Sequence, residues 1–185
     1  MNVGDERTQS LWMDVEAAPR TPALSKDIDA DTVVIGSGIA GLSVAYELAA
    51  IGRPVVVLDR AAIGSGMTAR TTAHLTPICD DTISAMIKLR GEETSRLFYE
   101  SQAAAVDRIE AIVRQESIAC NFRRLDGYLF PALGTEPADA KEQLDTELEA
   151  GRKVGVKVHT RPGYRLRGRA TCAACAIPSR RRSIR

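Results

Sequence analysis

Thr32-Val33-Val34-Ile35-Gly36-Ser37-Gly38-Ile39-Ala40-Gly41, followed by Val55-Val56-Val57-Leu58-Asp59, spells a strand, a glycine turn, a helix and a second strand closed by a carboxylate. This is the sequence form of a site for the ADP half of a dinucleotide. Val33, Val34 and Ile35 make a β-branched apolar run, the composition of a parallel strand buried on both faces. Gly36 permits a sharp exit from that strand. Gly38, lacking a Cβ, permits close approach of a pyrophosphate, and Gly41 lets the helix pack tightly on the strand. The first N–H groups of the helix and its positive dipole end then face the phosphates. Leu42, Ala45, Tyr46 and Ala49 recur at helical spacing as a buried face, Gly52 is a stop signal, and Pro54 opens the next strand. Asp59, 23 residues beyond Gly36, stands at the offset of the acid that accepts hydrogen bonds from the adenosine ribose. A carboxylate there disfavours a 2′-phosphate, which places NADP last among the candidate ligands. A glycine-rich turn in an unrelated α/β unit is the competing account.

NAD and FAD share this fingerprint, and the next segment separates them. After Asp59-Arg60 comes Ala61-Ala62-Ile63-Gly64-Ser65-Gly66-Met67-Thr68-Ala69-Arg70-Thr71-Thr72-Ala73-His74-Leu75. An NAD domain usually moves quickly to another helix and strand. Small and hydroxyl residues instead suit a segment that lies along an extended cofactor and offers donors to its phosphates. Ordinary turn residues in a flexible loop are the alternative.

With these motifs in place, the chain resembles the FAD-dependent oxidoreductases related to glycine, sarcosine and D-amino-acid oxidases. The resemblance rests on Gly36 to Gly41, Asp59-Arg60, Gly64 to Thr68 and Thr72-Ala73-His74-Leu75-Thr76-Pro77, and covers about residues 10 to 163. Ser10-Leu11-Trp12 and the run Thr68 to Thr76 look closest to a subgroup that carries a Rieske iron–sulfur domain after the flavin domain. The resemblance implies FAD as cofactor. It implies a cofactor-binding set of Gly36, Ser37, Gly38, Ile39, Ala40, Gly41, Asp59, Arg60, Gly66, Met67, Thr68, Thr72, Ala73 and His74. His74 is the candidate closest to the isoalloxazine ring, with a packed or surface histidine as the alternative. The implied chemistry is oxidation of an amine or amino-acid-like small molecule by hydride transfer to the flavin. No catalytic residue is identifiable.

Beyond the fingerprint, Asp81 to Ile118 reads as helical, broken near Gly91, with Leu97, Val106, Ile109, Ile112 and Val113 as a core stripe. Asn121 to Phe130 reads as two strand pieces around a turn at Asp126-Gly127. In the resembling family a substrate-side sheet begins here. Arg124 and Tyr128 are then candidates to face a substrate carboxylate, an ordinary strand tyrosine being the favoured account. Glu136 to Ala150 reads as a helix and Val154 to His159 as a strand. The expected fold is α/β: a Rossmann-like FAD-binding βαβ unit with a parallel sheet, plus the start of a substrate-side sheet, in an incomplete domain.

Charge divides the chain. Residues 1–150 hold all 24 acids against 14 Lys/Arg, a balance of −10, whereas residues 151–185 hold 11 Lys/Arg and no acid. The expected organisation is an irregular lead-in at 1–29, the N-terminal part of an oxidoreductase domain at 30–163, and a basic, disordered tail at 164–185. The charge flip suggests a foreign reading frame or damaged terminus from Arg165 onward, on an N-terminal portion of a longer enzyme. Two other functions compete: a truncated, inactive nucleotide-binding fragment, and an anionic-surface or RNA-interacting fragment acting through Arg180-Arg181-Arg182. No base-reading module accompanies those arginines, so no nucleic acid is expected as partner. Cys172-Ala173-Ala174-Cys175 lacks partners at metal-ligand spacing, and no Cys stands two or three residues before a His, so no metal is expected. No secretory leader and no membrane span are expected, and four thiols suit a reducing cytoplasm, the expected location. The sequence sets no oligomeric state.

Overall fold

The computed structural model describes residues 10, 13, 21–164 and 172–177. It divides into two compact units, residues 1–74 and 75–185.

The first unit is the βαβ element. Strand β1 (Val33–Ile35) pairs in parallel with β2 (Val56–Leu58), in the register Val33↔Val56 and Ile35↔Leu58, with helix α1 (Ile39–Ala50) between them in sequence. The ladder extends at both ends, where Val56 N–H donates to Thr32 O (3.0 Å) and Gly36 N–H to Leu58 O (2.8 Å). Gly36 leaves the strand at φ +101°, a conformation that L side chains resist. Gly52 ends the helix at φ +76°, its N–H donating to Ala49 O (2.9 Å), so the stop signal acts as expected.

Burial departs from expectation. Val33 and Ile35 are exposed, Ile35 by 87%, and β2 is only half-buried. Among the described residues of this unit, Ser37 and Ala45 are the buried ones. A two-stranded ladder served by one helix has little to cover its far face, so the apolar run is not enclosed on both sides. Leu42 likewise stays at the rim of the helix face, 37% exposed.

The second unit packs three helices with a small antiparallel sheet. Helix α2 (Ile83–Arg90) ends at Gly91, φ +82°, and α3 (Glu92–Gln115) starts from that same glycine, so the expected break is there. Thr82 caps α2 by accepting from Ala85 N–H (3.2 Å). A second cap comes from α4 (Pro137–Lys153), whose Glu147 carboxylate accepts from Ile83 N–H (3.0 Å) and Ser84 N–H (3.1 Å). Glu147 thus satisfies two orphan donors and faces a positive helix end. Glu147→Ala is expected to cost about 1–2 kcal/mol of stability in urea unfolding, with Glu147→Gln losing less.

Val106, Leu144, Ala150, Val154 and Val156 form the core, while Leu97, expected in the stripe, is 52% exposed. The strand expected at Val154–His159 begins later, as β4 (His159–Tyr164). The N–H groups of Val154, Gly155 and Val156 instead close the end of α4 on Ala150, Arg152 and Gly151 carbonyls. This fold-back needs a glycine, because a Cβ on Gly151 would lie 2.7 Å from Val158 Cγ2. β3 (Gly127–Leu129) also differs from expectation. Its partner is β5 (Cys172–Ile177), pairing Tyr128 with Ala176, and residues 121–126 form no strand, so the Asp126-Gly127 hairpin is absent. β5 lies between β3 and β4, both antiparallel to it. A boundary at residue 163 therefore cuts through this sheet. The run Cys172 to Ile177 contains one β-branched residue, which gives a weak strand signal. Arg180 to Arg182 lie outside the described residues.

Candidate nucleotide-binding site

The glycine turn works by close approach. A Cβ on Gly41 would stand 1.9 Å from Gly36 O and 3.2 Å from Val34 Cγ1, so the helix start sits flush on the end of β1. At Gly38 a Cβ would meet Thr68 Oγ1 at 3.3 Å. Thr68 belongs to a short 3-10 helix, Met67–Arg70, which brings the segment after β2 back onto the glycine turn. Its hydroxyl accepts from Ile39 N–H at 2.9 Å, and Gly64 N–H donates to Ser37 O at 3.0 Å. Among the described residues nothing accepts from the N–H groups of Ala40 and Gly41, which leaves donors at the helix start for an anion.

Asp59 closes the site at the tip of β2. Its Oδ2 accepts from Ser37 N–H (2.6 Å) and Ser37 Oγ–H (2.7 Å), and its Oδ1 from Ala61 N–H (2.9 Å). The Ser37 amide, then the Ser37 hydroxyl, then the Ala61 amide hold this carboxyl at about 2, well below the ordinary range. The acid is therefore ionised and aimed before any ligand arrives.

The structure thus brings together Gly36, Ser37, Gly38, Ile39, Ala40, Gly41, Asp59 and Thr68. Arg60, Gly66 and Met67 lie on the surface beside them in sequence. Thr72, Ala73 and His74 are exposed and, among the described residues, make no hydrogen bond to the glycine turn. Ala73 adopts φ +57°, and its N–H donates to Thr71 Oγ1 (3.2 Å). The Ser37–Asp59 clasp escapes sequence reading, because the middle residue of a GxG turn carries no type requirement in the fingerprint. Arg124 is not free for a substrate carboxylate. Its guanidinium binds Glu110 (2.9 and 2.7 Å) and Asp107 (2.6 Å) and stacks over Phe122. In the second unit, the cleft lined by Pro77, Ile78, Met86, Phe98 and Val154 has about 10 Å³ of open space, room for one water and not for a substrate. Among the described residues no three His, Cys, Asp or Glu side chains gather as for a metal, and no helix is long and apolar enough to cross a membrane.

A parallel βαβ unit with a flush glycine turn, open helix-start donors and an acid on the second strand defines a dinucleotide-binding element. The comparisons carry this further. The family model described as FAD dependent oxidoreductase (DAO) matches residues 31–176, and the chain belongs to this family of FAD-dependent oxidoreductases. It is 34% identical over 152 residues to YhfW of Bacillus subtilis, named as a Rieske 2Fe-2S iron-sulfur protein, with 82% of this chain and 29% of YhfW covered. It is 30% identical over 131 residues to the gamma-glutamylputrescine oxidoreductase of Escherichia coli, covering 70% of this chain and 30% of the enzyme. The chain thus spans under a third of the length of these relatives. Among solved structures, the fold is similar to glycine oxidase from Bacillus cereus, with TM-score 0.52 and 18% identity, covering 82% of this chain and 39% of the oxidase.

Proposed function

We propose that residues 30–74 grip the ADP half of FAD, and that the chain supplies this element to an oxidoreductase acting on an amine or amino-acid-like small molecule. The Ser37–Asp59 clasp at the tip of β2 carries this reading: an ionised, oriented acceptor stands beside the open N–H groups of α1. The cradle fits the group: without a Cβ, Gly41 lets the helix start sit flush on the end of β1 and Gly38 lets Thr68 Oγ1 approach the turn, beside the open amides of Ala40 and Gly41. In this reading the helix-start amides and the Thr68 hydroxyl bind phosphate oxygens, and Asp59 accepts from the adenosine ribose. Arg60, Gly66, Met67, Thr72, Ala73 and His74 continue along the cofactor towards its ring. When bound, the flavin supplies the electron chemistry by accepting hydride from the substrate. The protein's part is to fix the cofactor in place and to set the surroundings of its ring. The work is cytoplasmic in this reading, with four thiols kept reduced and no nucleic acid involved.

Calorimetric titration of the folded chain with ADP and with FAD tests the reading. One-to-one binding of both is expected, and a folded sample that binds neither ADP, FAD nor NAD ends it. His74→Ala is expected to shift the absorption maximum and reduction potential of bound flavin. An unchanged spectrum and potential would remove His74 from the ring's neighbourhood.

A further inference from the structure

We propose that Ser37 is a positioning residue for nucleotide recognition: its hydroxyl and amide together hold one oxygen of Asp59, and the other oxygen takes a single ribose hydroxyl. The inference rests on the adenine-nucleotide reading above and specifies how that site reads the ribose.

A carboxylate oxygen has two acceptor positions. Both on Asp59 Oδ2 are taken by Ser37, at 2.6 Å from the amide and 2.7 Å from the hydroxyl. One on Oδ1 is taken by Ala61 N–H at 2.9 Å, which leaves one acceptor position for a ligand. Asp59 itself is exposed, so that position is open to a nucleotide. Ser37 is not: at 2% exposure its hydroxyl cannot turn to water, and Asp59 is its acceptor. A serine in the middle of the glycine turn therefore changes what the acid can do. With both oxygens free, a carboxylate can take the two vicinal ribose hydroxyls together. With one oxygen clasped, it takes one. The clasp also favours the ionised acid, the Ser37 amide and hydroxyl being the two strongest influences that lower its carboxyl, ahead of the Ala61 and Arg60 amides.

The test is calorimetry on the full chain with ADP, 2′-deoxy-ADP and 3′-deoxy-ADP, for the unaltered protein, S37A, D59N and the S37A/D59N double variant. In the unaltered protein one deoxynucleotide is expected to bind about tenfold more weakly than ADP and the other within about twofold, as loss of one charged hydrogen bond implies. S37A is expected to weaken ADP about tenfold and to shrink the gap between the deoxynucleotides. It is also expected to raise the Asp59 carboxyl midpoint in an NMR titration. In the D59N background S37A is expected to add nothing, because Ser37 acts through the acid. Equal losses for both deoxynucleotides in the unaltered protein overturn the inference, and need no variant to fold. So does an S37A effect that persists in the D59N background, the mark of a merely structural serine. If ADP binds and S37A changes neither affinity nor midpoint, this inference falls and the nucleotide site stands. If the unaltered, folded chain binds no ADP, both fall.

Discussion

Gly41→Ala is expected to unfold the first unit and to lower ADP affinity more than a hundredfold. The added Cβ would stand 1.9 Å from Gly36 O and 3.0 Å from Gly36 C, both backbone atoms. Neither side can yield cheaply. Gly36 is tied by its N–H to Leu58 O at 2.8 Å and sits at φ +101°, so moving its carbonyl breaks the ladder between the strands. The alternative is to lift α1 off β1, which withdraws the helix-start amides from the glycine turn. Overpacking of this kind costs about 3 kcal/mol or more when backbone must shift. A unit with two strands and one helix has little stability to absorb it. Thermal unfolding and ADP titration measure the two consequences. Gly66→Ala makes the contrast: a Cβ there meets nothing within 4 Å, and its stability is expected to change by less than about 0.5 kcal/mol.

That contrast shows which features were legible in the sequence. Gly41 and Gly36 could be read because a close backbone approach and a positive φ exclude almost every other residue, so identity and geometry are tied one to one. The break at Gly91 and the end of α1 at Gly52 follow the same logic. Features set by distant partners could not be read. Whether Ile35 is covered depends on what lies across the sheet, and no local pattern reports that. Arg124 has the chemistry to bind a carboxylate, yet Asp107 and Glu110, one to two turns back along α3, already satisfy it. The late start of β4 goes with residues 154–156, whose amides fold back onto α4 carbonyls, and with Gly151, where the absence of a side chain leaves room for Val158. β5 escaped because alanine and cysteine carry little strand preference, and its place is fixed by two neighbours far away in sequence.

Asp59→Asn is expected to weaken ADP about 10- to 100-fold, and its pH behaviour separates charge from shape. Three donors converge on this carboxylate, two from Ser37 and one from Ala61. An amide in its place keeps one acceptor oxygen and sets an NH2 group against donors, so at least one bond becomes a repulsion. The sign of the pH effect follows from the direction of the shift. The folded-state carboxyl sits at about 2, below its ordinary value near 3.8, so the folded form binds protons less readily than the unfolded chain. Its contribution to stability is therefore fully present above about pH 4 and is lost as pH falls towards 2. Nucleotide affinity should be level across that upper range, because the acid is already ionised, and should decline only on approach to pH 2. In Asp59→Asn this acid-limb contribution is expected to vanish from both stability and affinity, measured by urea unfolding and ADP titration from about pH 2 to 7. A variant whose ADP affinity matches the unaltered protein would remove Asp59 from the site. A variant that loses affinity yet keeps the same acid limb would assign the limb to another carboxylate.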